Sequence, residues 1–371
     1  MINIGITGSS GFIGYHLYQT IKLNKEFNII EFNREFFENS DQLEQFVSSC
    51  DVIVHLAGLN RHHSDHEIYN VNLGLVQKLI NALEKTNSKP HVLISSSLQE
   101  ERGNVYGNSK KESRILLSEW AKNNHATFSG LIIPNVFGPF GKPFYNSVVA
   151  TFCHQISRYD QPILKNDVPL KLIYVGELVN EIIELINNKD NTHYKIIPHT
   201  AEVRVSGILN LLLYFRESYQ ENGIIPKIKN SFELQLFNTY RCYMNLDNYF
   251  PRKYNVKLDE RGIFVELSRS EISGQTSFST TKPGITRGNH FHTRKIERFS
   301  VIKGKARIQL RRIGTDKVYQ FFLDGNNPGY VDMPIWYTHN ITNIGDDELL
   351  TIFWINEHYN PEDPDTFFEK V

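Results

Sequence analysis

The chain has 371 residues, more than one hydrophobic core usually organises, so two domains are expected. Its 40 lysines and arginines nearly balance 41 aspartates and glutamates, with no long run of one sign, which argues against nucleic acid or an anionic membrane surface and leaves a small molecule as partner. Cys50, Cys153 and Cys242 show neither disulfide nor metal spacing, and the most apolar run, residues 209–215, is far short of the ~20 residues that cross a bilayer, so a cytoplasmic location is expected.

Asn3-Ile4-Gly5-Ile6-Thr7 reads as a buried parallel strand rather than a signal peptide. It runs directly into Gly8-Ser9-Ser10-Gly11-Phe12-Ile13-Gly14 and a helical pattern through Leu17 and Ile21. That order is a nucleotide cradle. Gly8 permits the tight turn, Gly11 lets the backbone approach a pyrophosphate, Gly14 lets helix and strand pack closely, and the helix N-terminus faces the anion. Strands at 28–32, 51–58, 91–95 and 130–134 then alternate with helices at 71–86 and 110–123, as in an α/β doubly wound (Rossmann) parallel sheet. The second strand ends in Asn33-Arg34, and a cation where NAD enzymes usually place Asp or Glu favours NADP. Dinucleotide contacts are expected from Gly8, Ser10, Gly11, Phe12, Ile13 and Gly14, from Asn33 and Arg34, and from Leu56-Ala57-Gly58.

Tyr106-Gly107-Asn108-Ser109-Lys110 follows a strand ending in Ser95-Ser96-Ser97 and opens a helix. The same spacing occurs at Tyr18/Lys22 and Tyr249/Lys253, so position selects Tyr106: tyrosine, lysine and a serine can converge at the carboxyl edge of the sheet. With these motifs, residues 1–245 resemble the extended short-chain dehydrogenase/reductase family. The resemblance implies that Tyr106 delivers a proton to a carbonyl oxygen, that Lys110 lowers the tyrosine pKa and, with Tyr106, contacts the cofactor, and that Ser97, with Ser96 as the alternate, orients the substrate. Pro134-Asn135-Val136-Phe137-Gly138-Pro139 and Leu172-Ile173-Tyr174-Val175-Gly176-Glu177-Leu178 agree with the branch that acts on nucleotide sugars. Ile132 stands where that family often places an arginine and leaves the substrate contacts there open. Ser97 is followed by Leu98-Gln99 rather than the Asp-Glu pair of sugar 4,6-dehydratases, and Arg34 suits a consumable NADPH better than the retained NAD of a 4-epimerase. Ketone reduction is the expected reaction.

Helical periodicity at 205–221 and 233–244 is expected to complete the first domain, with 246–257 as a linker and 258–371 as the second domain. In the latter, Gly284, His290-Phe291-His292, Glu297 and Gly304 are followed by Pro334-Ile335-Trp336-Tyr337-Thr338-His339 and Asn343. Two histidines one residue apart on a strand project from one face, where a carboxylate and a third histidine can complete a metal cluster. Both blocks resemble the motifs of the cupin superfamily, with Trp336 where cupins usually carry glycine. The resemblance implies an all-β cupin barrel in which His290, His292, Glu297 and His339 bind one divalent metal. Asp259-Glu260-Arg261-Gly262-Ile263-Phe264-Val265-Glu266 and Gly284-Ile285-Thr286-Arg287-Gly288-Asn289-His290 also resemble the deoxysugar 3,5-epimerases, metal-free cupin-fold enzymes of 4-keto nucleotide sugars in which the position of His290 is a base. Four matching ligands favour the metal here. A 4-ketone acidifies the hydrogens on C3 and C5, so a barrel can invert one centre before reduction removes the ketone. The proton donor and acceptor are open, with Tyr337 and Lys303 as candidates, and so is whether the metal touches substrate or braces the barrel.

The whole combination, including the closing Pro361-Glu362-Asp363-Pro364-Asp365-Thr366, resembles two-domain enzymes of capsular polysaccharide biosynthesis. That resemblance implies Zn2+, NADPH, a UDP-linked 4-keto-6-deoxy-HexNAc substrate and a homodimer. The cupin would epimerise C3 of a UDP-2-acetamido-2,6-dideoxy-4-hexulose, and the reductase would give UDP-2-acetamido-2,6-dideoxy-L-talose on the route to UDP-N-acetyl-L-fucosamine. The alternative is an NADP-dependent 4-ketosugar reductase whose cupin is a structural, dimerising or ligand-sensing module.

Overall fold

The fold is that of a computed structural model, which describes every residue except 255, 260–261, 266, 268–273 and 358–359. By their contacts the residues gather into two units, Met1–Thr151 with Asn166–Val205, and Phe152–Lys165 with Ser206–Val371.

The first unit begins with β1 (Ile2–Thr7), α1 (Phe12–Lys22), β2 (Phe27–Ile30), α2 (Ser40–Ser49) and β3 (Val52–His55). It continues through α3 (Asp65–Thr86), β4 (His91–Ser97), α4 (Val105–Asn124), β5 (Phe128–Ile133) and β6 (Asn135–Phe137). Next come α5 (Val148–Ile156), whose residues from Phe152 on belong to the second unit, β7 (Pro169–Tyr174), α6 (Val175–Asn188), β8 (Thr192–Ile196) and β9 (Ala201–Arg204). Six strands form one parallel sheet in the order β2-β1-β3-β4-β5-β8. Alternation along each strand feeds two cores: Ile4, Ile6, Val54 and Leu93 pack with Leu17 of α1 and Leu178 of α6, while Ile53, Val92 and Ile94 pack with Phe46, Leu79 and Leu117. Each such side chain is stabilised by roughly 1.5–3 kcal/mol on burial.

The strands expected at 28–32, 51–58, 91–95 and 130–134 are β2 to β5, shifted by a few residues. The helices begin earlier than expected, at Asp65 and Val105. Their starts are set by caps rather than by apolar period: Ser64 Oγ accepts from Glu67 N at 3.4 Å, and Asn104 Oδ1 from Gly107 N at 2.7 Å. Tyr106 therefore sits inside the first turn of α4.

Beyond the end of α5, the second unit continues with α7 (Val205–Phe215), whose first residue belongs to the other unit, and a π-helical turn, Arg216–Glu221. There follow α8 (Ser231–Arg241), α9 (Leu246–Tyr249), β10 (Arg252–Lys253), β11 (Val256–Asp259), β12 (Gly262–Val265), β13 (Gln275–Thr281) and β14 (Thr286–Phe291). The rest is β15 (Glu297–Lys303), β16 (Lys305–Arg312), β17 (Val318–Asp324), β18 (Gly329–Met333), β19 (Tyr337–Asn343), β20 (Leu349–Ile355) and β21 (Phe367–Phe368). Two five-stranded sheets, β10-β18-β15-β20-β13 and β17-β16-β19-β14-β21, are antiparallel throughout, and β11 pairs with β12, also antiparallel. Glu260, Arg261 and Glu266 of the epimerase-like stretch lie outside the described residues.

The helical stretches expected to complete the first domain differ in where they pack. Residues from Ser206 onward gather with the β-sheets. Tyr219 donates to Asp332 Oδ2 at 2.6 Å, and Arg298 grips the same carboxylate at 2.8 and 3.0 Å, all of it buried. Removing one partner of such a pair strands a buried charge, at about 3–5 kcal/mol. The stretch expected as a linker is also built in: β10 pairs with β18, and Tyr249 donates to the Tyr219 carbonyl at 2.8 Å, while Asn255 lies outside the described residues. Aromatic and cationic residues facing barrel strands leave no apolar period of their own, which is why sequence pattern assigned them elsewhere. No helix among the described residues is long and apolar enough to cross a membrane.

Candidate active site and candidate metal centre

Between β1 and α1 the chain turns at Gly8, with φ +79°, and Gly11 N donates to Gly8 O at 3.0 Å. A Cβ on Gly14 would stand 2.1 Å from that same carbonyl oxygen, so only glycine lets α1 start here. No side chain caps α1, which leaves its first N–H groups directed at a ligand. A cavity of about 830 Å³ opens beside this turn, lined by Gly8, Ser10, Gly11, Phe12, Ile13 and Gly14, and by Leu56 and Gly58 after β3. Ser95, Ser96 and Ser97 from β4 and Tyr106 and Lys110 from α4 line it too. The three residues read as a catalytic set thus share one cavity. Of the expected cofactor contacts, Asn33, Arg34 and Ala57 are not among its lining residues. Asn33 Oδ1 accepts from Glu35 N, Arg34 is exposed on the turn after β2, and Ala57 N donates to Thr7 Oγ1 at 3.4 Å.

The two candidate serines separate on their hydrogen bonds. Ser96 donates to Glu100 Oε1, and Arg114 holds that buried carboxylate at 2.9 and 2.7 Å. Its hydroxyl proton is committed. Ser97 Oγ accepts from Gln99 N at 3.2 Å, so its own O–H can be turned to a ligand. Glu100 also explains what the cavity lacks: an acid three residues past Ser97 exists, but it is spent on Ser96 and Arg114 and does not line the cavity.

Lys110 is buried and donates to Ser95 Oγ at 3.4 Å; burial pulls its pKa down to about 8, against the opposing pull of Glu100. Tyr106 moves the other way from the sequence expectation. Burial, with a contribution from Tyr145, pushes the phenol up to about 12. It is therefore fully protonated at neutral pH, the form a general acid needs.

Sequence reasoning missed Asn72. Buried on α3, it accepts from Leu59 N at 2.7 Å and donates to Leu59 O at 3.1 Å and to Ser109 Oγ at 3.0 Å, while Ser109 donates to Tyr106 O. It ties the loop after β3 to the helix that carries Tyr106 and Lys110. The available signal was an amide inside an apolar helical stretch, a position that requires buried partners. Lys142 and Tyr145, which also line the cavity, lie in a loop without period.

Gly107 controls how closely α4 approaches the serine turn, because a Cβ there would stand 2.0 Å from the Gln99 carbonyl oxygen. Gly107→Ala is expected to displace Tyr106 from Ser97 and lower kcat for ketone reduction about 10²-fold, with a smaller change in NADPH affinity. Steady-state kinetics beside a cofactor titration checks this; equal losses in both would point to a collapsed cradle instead.

In the second unit, β14 and β19 pair so that His290 faces His339, while His292 follows β14 and Glu297 opens β15 in the other sheet. The four donor atoms lie within 4.8 Å of one another. Glu297 Oε2 is 2.9 Å from His292 Nε2 and 3.3 Å from His339 Nε2, and His290 and His339 bring their Nε2 atoms to 3.2 Å. Backbone carbonyls fix the imidazoles: His292 Nδ1 faces Asp365 O, and His339 Nδ1 faces Tyr337 O at 3.2 Å. A carbonyl only accepts, so each Nδ1 carries the proton and each Nε2 turns a lone pair inward. Buried His292 Nε2 and Glu297 Oε2 have no partner in hydrogen-bonding geometry. Electron-pair donors converging in this way fit a divalent cation, and two or three imidazoles with a carboxylate are a donor set of zinc-type sites.

The cluster's electrostatics are divided: burial opposes a charge on His292, but Glu297 and the Asp365 carbonyl outweigh it and raise its pKa, so a proton between His292 and Glu297 competes with a cation for the site. Burial and the neighbouring His339 and His292 pull His290 down to about 3. Burial opposes ionisation of Glu297, but His292 and His339 outweigh it and hold the carboxyl well below its usual range. Trp336, where glycine was the expectation, takes φ +62°, donates its N–H to His292 O at 2.8 Å and stacks on Phe291. The left-handed backbone is kept although the glycine is not. Tyr337 is buried two positions from His339, on the same strand face; Lys303 is exposed at the far end of β15.

Residues 4–197 match the model of the NAD dependent epimerase/dehydratase family, and residues 257–367 match the polysaccharide biosynthesis C-terminal domain. The chain belongs to the NAD dependent epimerase/dehydratase family. Over 367 residues it is 32% identical to UDP-2-acetamido-2,6-beta-L-arabino-hexul-4-ose reductase of Pseudomonas aeruginosa, covering 98% of this chain and 97% of that protein. The crystal structure of capsular polysaccharide assembling protein CapF from Staphylococcus aureus is similar over 100% of both chains, at 35% identity and a TM-score of 0.63. The two-domain resemblance read in the motifs is thus a full-length likeness to CapF. RMD from Pseudomonas aeruginosa, complexed with NADPH, is similar over 58% of this chain and 82% of its own, at 19% identity and a TM-score of 0.53, a likeness of fold.

Proposed function

We propose that the chain is a bifunctional nucleotide-sugar enzyme of capsular polysaccharide biosynthesis. The second unit, read as a zinc cupin, epimerises C3 of a UDP-2-acetamido-2,6-dideoxy-4-hexulose, and the first unit reduces the C4 ketone with NADPH to UDP-2-acetamido-2,6-dideoxy-L-talose. The observation that carries this reading is the 32% identity, over 98% of the chain, to UDP-2-acetamido-2,6-beta-L-arabino-hexul-4-ose reductase, in a chain whose Tyr106, Lys110 and Ser97 share one cavity. Cytoplasmic location and a homodimer go with it.

NADPH bound in the cavity would supply the hydride, with the α1 N-terminus and the Gly8 turn receiving its phosphates and Arg34 available to a 2'-phosphate. Ser97 orients the carbonyl oxygen through its free O–H. Tyr106 gives that oxygen its phenolic proton, and the Lys110 ammonium stabilises the phenolate left behind. In the barrel, His290, His292, Glu297 and His339 would hold Zn2+, whose Lewis acidity favours an enediolate at a 4-keto sugar. Tyr337 is the better placed of the two candidates for proton transfer, being buried on the strand face of His339.

Supplying a UDP-linked 4-keto-6-deoxy-HexNAc in D2O tests both halves. Deuterium should enter C3 before NADPH is added, and reduction should follow its addition. Oxidation of NADPH with no deuterium entry would leave a reductase with a structural or sensing barrel. The Lys110 ammonium, with its pKa lowered to about 8, is present below that pH and lost above it. NADPH affinity is therefore expected to hold near pH 7 and to weaken as pH rises past about 8, and Lys110→Arg should flatten the fall. A dissociation constant unchanged to high pH would contradict that role.

A further inference from the structure

The closing segment that the sequence singled out has no part in the mechanism above, yet it lies against the metal cluster. Asp365 is buried, with φ +41°, and its carboxylate accepts four hydrogen bonds from the three residues that follow His292. Oδ1 takes Thr293 N at 3.0 Å and Thr293 Oγ1 at 2.6 Å; Oδ2 takes Arg294 N and Lys295 N, both at 3.0 Å. Its own carbonyl oxygen accepts from His292 Nδ1. One residue therefore fixes both the turn after His292 and the tautomer of its ring.

The neighbouring residues extend the same contact. Lys295 Nζ donates to Pro364 O at 2.7 Å, β21 pairs Phe368 with His290 and Phe367 with Phe291, and Thr338, beside His339, donates to Glu369 O. The strap thus reaches residues at or next to three of the four clustered ligands.

We propose that residues 363–369 are a strap that presets the metal centre, with Asp365 as the positioning residue that holds His292 with Nε2 turned inward. The inference rests on the metal reading of the barrel. Outer partners that orient a ligating imidazole typically change metal affinity 10- to 100-fold when removed. A buried carboxylate satisfied by three successive N–H groups is a fixed anchor, so the histidine it orients loses little freedom on binding a cation.

The test uses the full chain and Zn2+ alone. Asp365→Ala is expected to weaken Zn2+ affinity about 10- to 100-fold in competition with a chromophoric chelator, and to alter the visible absorption of the Co2+-loaded protein. Glu357→Ala, which lies outside the strap and removes the 3.3 Å contact of that side chain with Arg294, should bind as wild type. The zinc-dependent rise in Tm should shrink in Asp365→Ala; an equal drop in Tm with and without Zn2+, at unchanged affinity, would make the strap merely structural and overturn the proposal. Should the alanine variant not fold, Asp365→Asn decides. It keeps the left-handed backbone, the volume and the carbonyl but loses part of the acceptor set, and it too must bind Zn2+ more weakly. A wild type that binds no Zn2+ overturns the metal reading and the strap together, whereas equal binding by wild type and variants overturns the strap alone.

Discussion

Tyr106→Phe is expected to lower kcat for reduction of the 4-keto sugar by about 10²–10⁴-fold while leaving deuterium entry at C3 intact. The substitution keeps the ring in the first turn of α4 and removes only the hydroxyl. With the phenol at about 12, the wild-type residue is protonated throughout the working range, so what is lost is the proton that the alkoxide needs as hydride arrives. Substrate and NADPH affinities should change little, since the phosphate cradle at Gly8 to Gly14 and the clamp from Asn72 to Leu59 are untouched. Single-turnover oxidation of NADPH, set beside binding constants, separates the loss of chemistry from a loss of binding. A variant that still reduces the ketone at near wild-type rate would remove Tyr106 from the reaction and turn attention to Tyr145, which lines the same cavity.

Sequence alone made the first unit legible because its signals are local. A strand, a Gly8/Gly11/Gly14 turn and a helix follow one another within 22 residues, and backbone sterics demand glycine at Gly14, 2.1 Å from the Gly8 carbonyl. His290, His292 and Glu297 could be read the same way, since strand alternation places the two histidines on one face. What escaped is non-local. Nothing near Asn72 in the chain announces Ser109 or Leu59, and nothing near Asp365 announces His292, 73 positions away. The grouping of the helical stretches after Ser206, read in sequence as part of a first domain ending at 245, with the sheets is non-local as well: the buried Tyr219–Asp332–Arg298 network spans more than 100 positions and has no period. The upward shift of Tyr106 is non-local too, since it comes from burial beneath residues far along the chain, with a contribution from Tyr145.

His290→Ala is expected to abolish deuterium entry at C3, by about 10³-fold or more, and to cost Zn2+ affinity more than the ~10–100-fold that follows loss of an outer partner. Reduction of a ketone already epimerised at C3 should continue. This residue is where two chemical readings diverge. As a base it would need a lone pair pointed at substrate and no obligation to its neighbours. Instead its Nε2 stands 3.2 Å from that of His339, in a cluster whose other members offer lone pairs to the same point. Repulsion of those nitrogens is relieved by a shared cation or by a proton on one Nε2, and burial together with the flanking imidazoles keeps His290 from becoming an imidazolium. Measuring the two quantities together decides the matter. Loss of exchange with Zn2+ retained at full affinity would make His290 a base and dissolve the four-ligand centre, whereas joint loss places it among the ligands. If exchange then returns in neither His290→Ala nor His339→Ala on raising Zn2+, the donor set as a whole, and not one base within it, carries the C3 chemistry.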